Sequence, residues 1–548
     1  MTNYTTSRRI VSALFPLMLL AACGAGNNGM VEAPEPTPVS LALEKLASFD
    51  GRVIGAAEIT AFDPASKRLF VVNGANKSVD VLDLSSPTAP RLLGTIDISA
   101  LGGGVNSVAV NDGLVAMAIE ATAKTSAGLV AFYNAADLRL LHTVAVGALP
   151  DMLTFTSDGK TVLVANEGEP NSYGFADSVD PEGSISVITV NRTGGTSTVA
   201  TADFRSYIGR ENELRASGVR IFGPNANAAQ DLEPEYIAVS ADNKTAYVTL
   251  QENNAIAIVD IATAKITAVR PLGYKDHSLA GFGLDASDED GGTNTNSGTA
   301  AINIKPQPVR GLYMPDGIAR FTVNGATYLI TANEGDARAD WPGFNEETRV
   351  RTHCNLGLDP AVFGADAANL LFDSNLGRLR ITSTPNGGLT GKNAAGLCTE
   401  LYSSGARSFS IWSSDIVRVF DSGDDLEQRT KSLSNVMFNA SHDNNTLDSR
   451  SSNRGPEPEG VVVATFGAKS FAFIGLERVG GVMVYDVSTP TAPAFVTYLN
   501  TRSGATGDRG PEGLTFIPAK QSPNGKALLI VGNEVSGTTA IFQINLSF

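Results

Sequence analysis

Apolar residues fall in short runs along this chain, and five of those runs carry the same pair of polar marks. A proline followed by an acid opens an apolar stretch, and about one hairpin later an acid, usually after Asn, closes the next. The pairs are Pro150-Asp151 with Asn166-Glu167-Gly168, Pro234-Glu235 with Gln251-Glu252, Pro315-Asp316 with Asn333-Glu334-Gly335, Pro458-Glu459 with Glu477, and Pro511-Glu512 with Asn533-Glu534. Between the marks the residues read strand, turn, strand: Met152-Leu153-Thr154-Phe155-Thr156, then Ser157-Asp158-Gly159-Lys160, then Thr161-Val162-Leu163-Val164-Ala165. A polar turn with Asp-Gly between two such runs predicts a β-hairpin. Further strands follow, such as Ser184-Ile185-Ser186-Val187-Ile188 and Ala255-Ile256-Ala257-Ile258-Val259. A unit repeated in this way predicts an all-β fold, a seven-bladed β-propeller over residues 45–548. The units are read at about 58–82, 108–141, 148–204, 232–272, 314–422, 456–500 and 510–547, and a strand from the N-terminal region is expected to complete the last.

In a propeller the first strand of each blade lines the central channel. The turn entering it and the loop after the second strand therefore emerge on one face. That face should gather Asp151, Glu167, Glu235, Glu252, Asp316, Glu334, Glu459, Glu477, Glu512 and Glu534. Carboxylates around one narrow axis repel unless a cation or basic ligand sits among them; alternatively, they cap loop N–H groups and face water. Long interruptions at 169–183, 273–314, 336–405 and 423–457 fall on the same side of the repeat. Loops of that length tend to be functional or disordered, so one face reads as built up for recognition.

Composition narrows the partners. With 57 acids against 41 bases the formal charge is −16, which argues against nucleic acid and permits cations. The 55 glycines and 18% charged residues suit a turn-rich all-β chain, read as a monomer. At the N-terminus, Arg8 and Arg9 precede an apolar core at 10–20 and then Leu20-Ala21-Ala22-Cys23, a bacterial lipobox. Residues 1–22 thus read as a lipoprotein signal peptide and Cys23 as the lipidated residue. Residues 23–44 would form the tether, the membrane a partner through the lipid, and the cell envelope, by default the outer membrane, the destination. Only Cys354 and Cys398 remain, and outside the cytoplasm such a pair predicts a disulfide rather than a metal site.

The densest chemistry in the loops is Asp285-Ala286-Ser287-Asp288-Glu289-Asp290-Gly291-Gly292. Closely spaced carboxylates ending in Gly supply hard oxygens and a sharp turn, as calcium requires, although the spacing is not that of an EF-hand. Calcium is therefore the expected cofactor, with Asp285, Asp288 and Asp290 as ligands and Glu167 and Glu334 contributing from the channel mouth; a solvated acidic turn is the alternative. His142, His277, His353 and His442 accompany no nucleophile elbow, and the chain has no phosphate-cradling Walker loop or dinucleotide fingerprint.

Several motifs together point to a family. Asn166-Glu167-Gly168-Glu169-Pro170, Asp180-Pro181-Glu182-Gly183-Ser184, the acidic run at 285–291, Ala332-Asn333-Glu334-Gly335-Asp336-Ala337-Arg338, Phe409-Ser410-Ile411-Trp412, Asp448-Ser449-Arg450 and Gly455-Pro456-Glu457-Pro458-Glu459-Gly460 stand in order. The chain resembles the bacterial choice-of-anchor I domain proteins, related to mesenchyme-specific cell-surface glycoproteins of animals. The resemblance implies a surface-anchored seven-bladed propeller, with calcium-associated matrix proteins among its animal relatives and alkaline-phosphatase-like names among bacterial ones. Two functions follow as expectations. The first is an envelope propeller binding calcium and a polar or polymeric ligand on its acidic face. The second is a calcium-dependent phosphoesterase, which would need basic residues near the acids; Arg310, Arg338, Arg450 and Arg478 are the candidates.

Overall fold

The structure, a computed structural model, describes residues 35–548 apart from 193–194, 292–297 and 386–389. The expected signal peptide and Cys23 lie outside the described residues. Among those residues the strands form ten sheets, seven of them four-stranded and antiparallel throughout. Sheet 1 comprises Thr60–Asp63, Arg68–Asn73, Ser78–Asp83 and Arg91–Asp97; sheet 2, Gly104–Asn111, Leu114–Glu120, Ala127–Asn134 and Leu140–Ala148. Sheet 3 comprises Pro150–Phe155, Thr161–Asn166, Ser184–Thr189 and Thr198–Asp203; sheet 4, Ile237–Val239, Thr245–Leu250, Ala255–Asp260 and Lys265–Pro271. Sheet 5 comprises Ile318–Val323, Ala326–Ala332, Phe409–Ser413 and Arg418–Asp421; sheet 6, Pro458–Phe466, Lys469–Leu476, Val482–Asp486 and Ala494–Leu499. Sheet 7 joins Pro511–Ile517, Leu528–Asn533 and Thr538–Ser547 to the N-terminal strand Ser40–Asp50, which pairs from Ser40 with Ser547 to Asp50 with Thr538.

The first strand of each sheet packs beside the first strand of the next, and the series returns from sheet 7 to sheet 1. The core is correspondingly divided into apolar seams between neighbours. Phe70, Val81, Met117 and Ile119 fill the seam of sheets 1 and 2, Phe409, Ile411, Ile474 and Tyr485 that of sheets 5 and 6, and Leu69, Leu82, Ile530 and Ile541 that of sheets 7 and 1. Each middle strand is buried on both faces, which is why Leu69-Phe70-Val71-Val72 and Leu528-Leu529-Ile530-Val531 are unbroken apolar runs rather than alternating ones. Gly159 turns the first hairpin of sheet 3 at φ +65°, with its N–H bonded to Thr156 O. A Cβ there would lie 2.1 Å from Asn111 Oδ1, so a larger residue would displace that side chain and be strained at this φ.

The opening prolines have a structural purpose. Pro150, Pro458 and Pro511 each pair with the last residue of the neighbouring strand, and the register then shifts by a bulge before Leu153, Val461 and Leu514. Proline suits a strand start because it donates no ladder bond. The bulge re-aims the acid that follows it.

The insertions at 273–314 and 336–405 fold onto one another. Tyr274–Asp276, Arg310–Leu312 and Tyr402–Ser403 form a small sheet whose last pairing is parallel. A second hairpin pairs Glu347–Arg349 with Arg380–Thr382. Leu284, Val309, Val350, Leu376, Leu379 and Leu401 give this module its own apolar cluster. Cys354 and Cys398, fully buried within that cluster, are disulfide-bonded across 44 residues, as expected for this pair. A further insertion between sheets 3 and 4, not separated in the sequence reading, carries the helices Glu211–Ser217 and Ala228–Asp231.

Closing a loop of this length contributes on the order of 4 kcal/mol, and the contribution should stay within the module. Reduction is expected to speed amide exchange across residues 346–405 while the four-stranded sheets keep their protection. Uniform loss of protection in all seven sheets would show that the bond holds the main core instead.

Candidate functional site

At one end of the first strands the repeated acids converge on a cavity of about 240 Å³. Asp151, Glu235, Asp316, Glu459 and Glu512, each one residue after its proline, come from sheets 3 to 7. Glu167 and Glu334 reach the same cavity from the ends of the second strands of sheets 3 and 5. Gln251 takes the equivalent place in sheet 4 and donates to Glu334 Oε2 at 3.0 Å. Sheets 1 and 2 contribute Ile59 and Asn106, so the acids occupy five sevenths of the circuit.

Burial and mutual repulsion shape this site. Burial first, then the charge of Glu169, pushes Asp151 up to about 7 against the pull of Lys124. Burial, then Asp151 and Glu252, pushes Asp316 up to about 8. Glu235, Glu334, Glu459 and Glu512 are raised well above the ordinary carboxylate range, mainly by burial and next by neighbouring acids. Glu235 is only 7% exposed, and its Oε2, like Oε2 of Glu459 and Glu512, has no hydrogen-bond partner. Asp316, Glu334 and Glu459 each place an oxygen within 4.8 Å of the other two. Eight acids line the cavity, these seven and Asp336, which Arg454 pairs, and no basic side chain is among the lining residues; such an arrangement favours a cation or shared protons.

A second group, Glu334, Glu457 and Glu477, is equally close but differently compensated. Fully buried Glu457 receives Arg450 Nε and Arg478 Nε at 2.9 Å, and Arg454 lies 3.7 Å away. Despite burial these three guanidinium groups hold Glu457 down at about 2. Arg478 also lies 2.9 Å from Glu477, which His442 Nδ1 meets at 3.0 Å. The other expected bases are engaged as well. Arg338 is buried against Asp231 and Glu233, and Arg310 is held by Glu400. Glu252 is buried one residue beyond Gln251 and is pushed up to about 8, while Glu534 is partly buried and acts on the site through its charge on Glu58 and Glu512.

The acidic loop is arranged differently from its linear pattern. Asp285 and Asp290 place oxygens within 4.8 Å of one another, and the third member of their group is Asp448, from the insertion at 423–457. Asp288 turns away and accepts Arg378 Nε and Nη2 at 2.7 Å each, which keeps its carboxyl below the usual range despite burial. Spacing along the loop grouped Asp288 with Asp285 and Asp290 because it could not foresee Arg378, ninety residues away. Glu167 and Glu334 belong to the channel cavity and are not members of this group.

Sequence reading also passed over Glu58. Thr60 opposes Val71 as Leu153 opposes Val164, so Glu58 stands at the position of Asp151 without the preceding proline that marked the others. Burial, then Glu534 and Asp151, pushes it up to about 8. Asp231 and Glu233, in the unrecognised insertion, were likewise missed; only their distant partner Arg338 makes them significant.

A profile of the choice-of-anchor I domain matches residues 58–490. Gigasin-3a of Magallana gigas is 31% identical over a stretch covering 31% of this chain and 66% of its own. The mesenchyme-specific cell surface glycoprotein of Strongylocentrotus purpuratus is 25% identical over 58% of this chain and 44% of its own, so the chain spans less than two thirds of either relative. Among solved structures, Kuenenia stuttgartiensis hydrazine synthase aligns over 90% of this chain and 97% of its own, at 12% identity and a TM-score of 0.44. The Cps50 (Swd1) β-propeller domain of Myceliophteria thermophila aligns over 90% and 99%, at 9% identity and a TM-score of 0.41.

The raised carboxyl groups make stability depend on pH. An acid whose folded value lies at 7 or 8 binds a proton in the folded state that the unfolded state has released above about 4. For Asp151 and Asp316 the stabilising difference is therefore complete at low pH and is lost as pH rises through about 7 and about 8. Cation-free protein is expected to melt at a lower temperature near pH 9 than near pH 5.5. Added calcium should flatten that slope. A melting temperature that stays level or rises across this window would contradict the electrostatic reading of the cavity.

Proposed function

This chain belongs to the choice-of-anchor I domain family, a propeller-like group of surface proteins, and we propose that it binds calcium, with a polar or polymeric ligand, at the acidic mouth of a seven-bladed propeller. One observation carries the reading: carboxylates from five successive sheets line a single cavity, and buried oxygens among them lack hydrogen-bond donors. Calcium takes six to eight oxygen ligands in flexible geometry, which suits a ring of acids delivered by separate sheets. Asp316, Glu334 and Glu459 would form its centre, with Asp151, Glu167, Glu235 and Glu512 supplying further oxygens or neutralising charge. The group around Glu457 is a poor alternative, since three arginines already balance it.

The same arginines bear on the phosphoesterase alternative. A phosphate cradle needs guanidinium groups free to meet an anion, yet Arg310, Arg338, Arg450 and Arg478 are each committed to a carboxylate. A binding role is therefore better supported than hydrolysis. The lipobox at 20–23 supports anchoring of the chain to the envelope membrane through Cys23. No helix among the described residues is long and apolar enough to cross a membrane.

Calorimetry with calcium chloride tests the site. The double change Asp316→Asn, Glu459→Gln is expected to weaken binding by at least about tenfold, or to abolish it within the millimolar range of extracellular sites. Unchanged affinity would remove the channel mouth from consideration. Turnover of phosphomonoesters that depends on calcium and is lost in the same variant would instead favour the hydrolase. For the anchor, mass spectrometry should find a diacylglyceryl-modified Cys23 at the mature N-terminus; a Cys23→Ala protein that still fractionates with membranes would exclude it.

A further inference from the structure

The insertions carry another carboxylate cluster, built from elements that the channel mouth does not use. Asp285 and Asp290 stand on the segment at 273–314 and Asp448 on that at 423–457, with one oxygen of each within 4.8 Å of the others. Asp285 and Asp448 are fully buried. The oxygens of Asp285 accept the backbone N–H of Asn303 at 2.6 Å and of Ser287 at 3.4 Å. Asp448 accepts from Ser451 Oγ through Oδ1, but its Oδ2 has no donor, and neither has Oδ1 of Asp290. Asn439 is also buried, with a free Oδ1, and its amide donates to the same Ser451 Oγ at 2.8 Å.

The bases in this neighbourhood are otherwise engaged. Arg378 serves Asp288 and Glu289. Arg407 forms a buried pair with Glu427 at 2.8 Å and touches Asp285 only through its backbone oxygen, at 2.6 Å. Two buried acids and the half-buried Asp290 thus face one another, Asp448 and Asp290 each with a donor-free oxygen, with no guanidinium among their carboxylates and only the charge of Lys305 acting on Asp290. An unpaired buried charge costs several kcal/mol unless an ion or proton balances it.

We propose that Asp285, Asp290 and Asp448 form a second divalent-cation site, of the hard-oxygen calcium class, that clasps the insertion at 273–314 to the one at 423–457. Asn439, joined to Asp448 through Ser451 Oγ, would be a candidate neutral oxygen ligand. The cation balances the trio and fixes two segments that reach the cluster from distant parts of the chain. Asp288 is outside the clasp because Arg378 holds it. The inference stands independently of the channel mouth, which uses other residues and other elements.

Amide exchange of the full chain, stripped with chelator and then supplied with calcium chloride, tests the clasp. Calcium is expected to slow exchange in both 281–291 and 437–453. Asp290→Asn, at a half-buried position, should raise the calcium concentration needed for that protection by at least about tenfold, and Asp448→Asn should abolish the protection. Asp316→Asn should leave it intact, so failure of the channel site and failure of the clasp are read separately. If Asp448→Asn does not fold, Asp290→Asn decides alone. Absence of calcium-dependent protection at these segments up to about 10 mM, or protection that is identical in Asp290→Asn, would overturn the proposal.

Discussion

Repulsion between carboxylates confined to one small cavity is the constraint on which this structure turns. Two unit charges 4.8 Å apart repel by about 3 kcal/mol at an effective dielectric near 20, and Asp316, Glu334 and Glu459 pack three such groups together. The protein meets this cost in different ways at neighbouring places. Around Glu457 it supplies three arginines, and the carboxyl stays ionised with a value near 2. In the channel only Arg454 approaches, at 4.0 Å from Glu334 and paired with Asp336, and the acids still move upward toward neutrality. The proposed cation would be a third solution, where oxygens lack donors.

The four-stranded sheets and the insertions divide the work. Apolar seams between sheets fix where each first strand ends, and a bulge after the opening proline aims one acid at the axis. The insertions are held by their own apolar cluster, a disulfide and buried ion pairs: Arg220 with Glu346, Arg338 with Asp231 and Glu233, and Arg407 with Glu427. Such pairs add little net stability over apolar packing, but removing one partner strands a buried charge at about 3 to 5 kcal/mol. They therefore fix the arrangement of the insertions more than they strengthen the fold. Both candidate cation clusters lie where these two systems leave buried acid oxygens without a hydrogen-bond donor.

Much of this was legible in the residues. Proline followed by an acid, a hairpin, and a closing Asn-Glu recur because each sheet must begin, turn and end in the same way, and period-two and unbroken apolar runs follow directly from burial. That is why Asp151, Glu235, Asp316, Glu459 and Glu512 could be grouped from the sequence, and why a strand from the N-terminal region could be expected beside the last strand, where Ser40–Asp50 lies, five residues earlier than the expected tether end at 44 would place its start. Glu58 escaped because sheet 1 lacks the proline, so only strand register equates it with Asp151. Asp448 escaped as a partner of Asp285 because 163 residues separate them, while Asp288 was included because it is near in sequence.

The sequence by itself determined the strands, the repeat, the side of the repeat on which the acids and insertions fall, and the pairing of the two cysteines available to each other. Only the tertiary structure decided which acids share a cavity, which are neutralised by arginine and which are left without a donor. Local pattern records what a residue does to its own strand, through burial and backbone bonding over a few neighbours. Electrostatic partnership is set by distance in space, and Arg378 reaches Asp288, or Arg454 reaches Asp336, only after the intervening chain has folded into place.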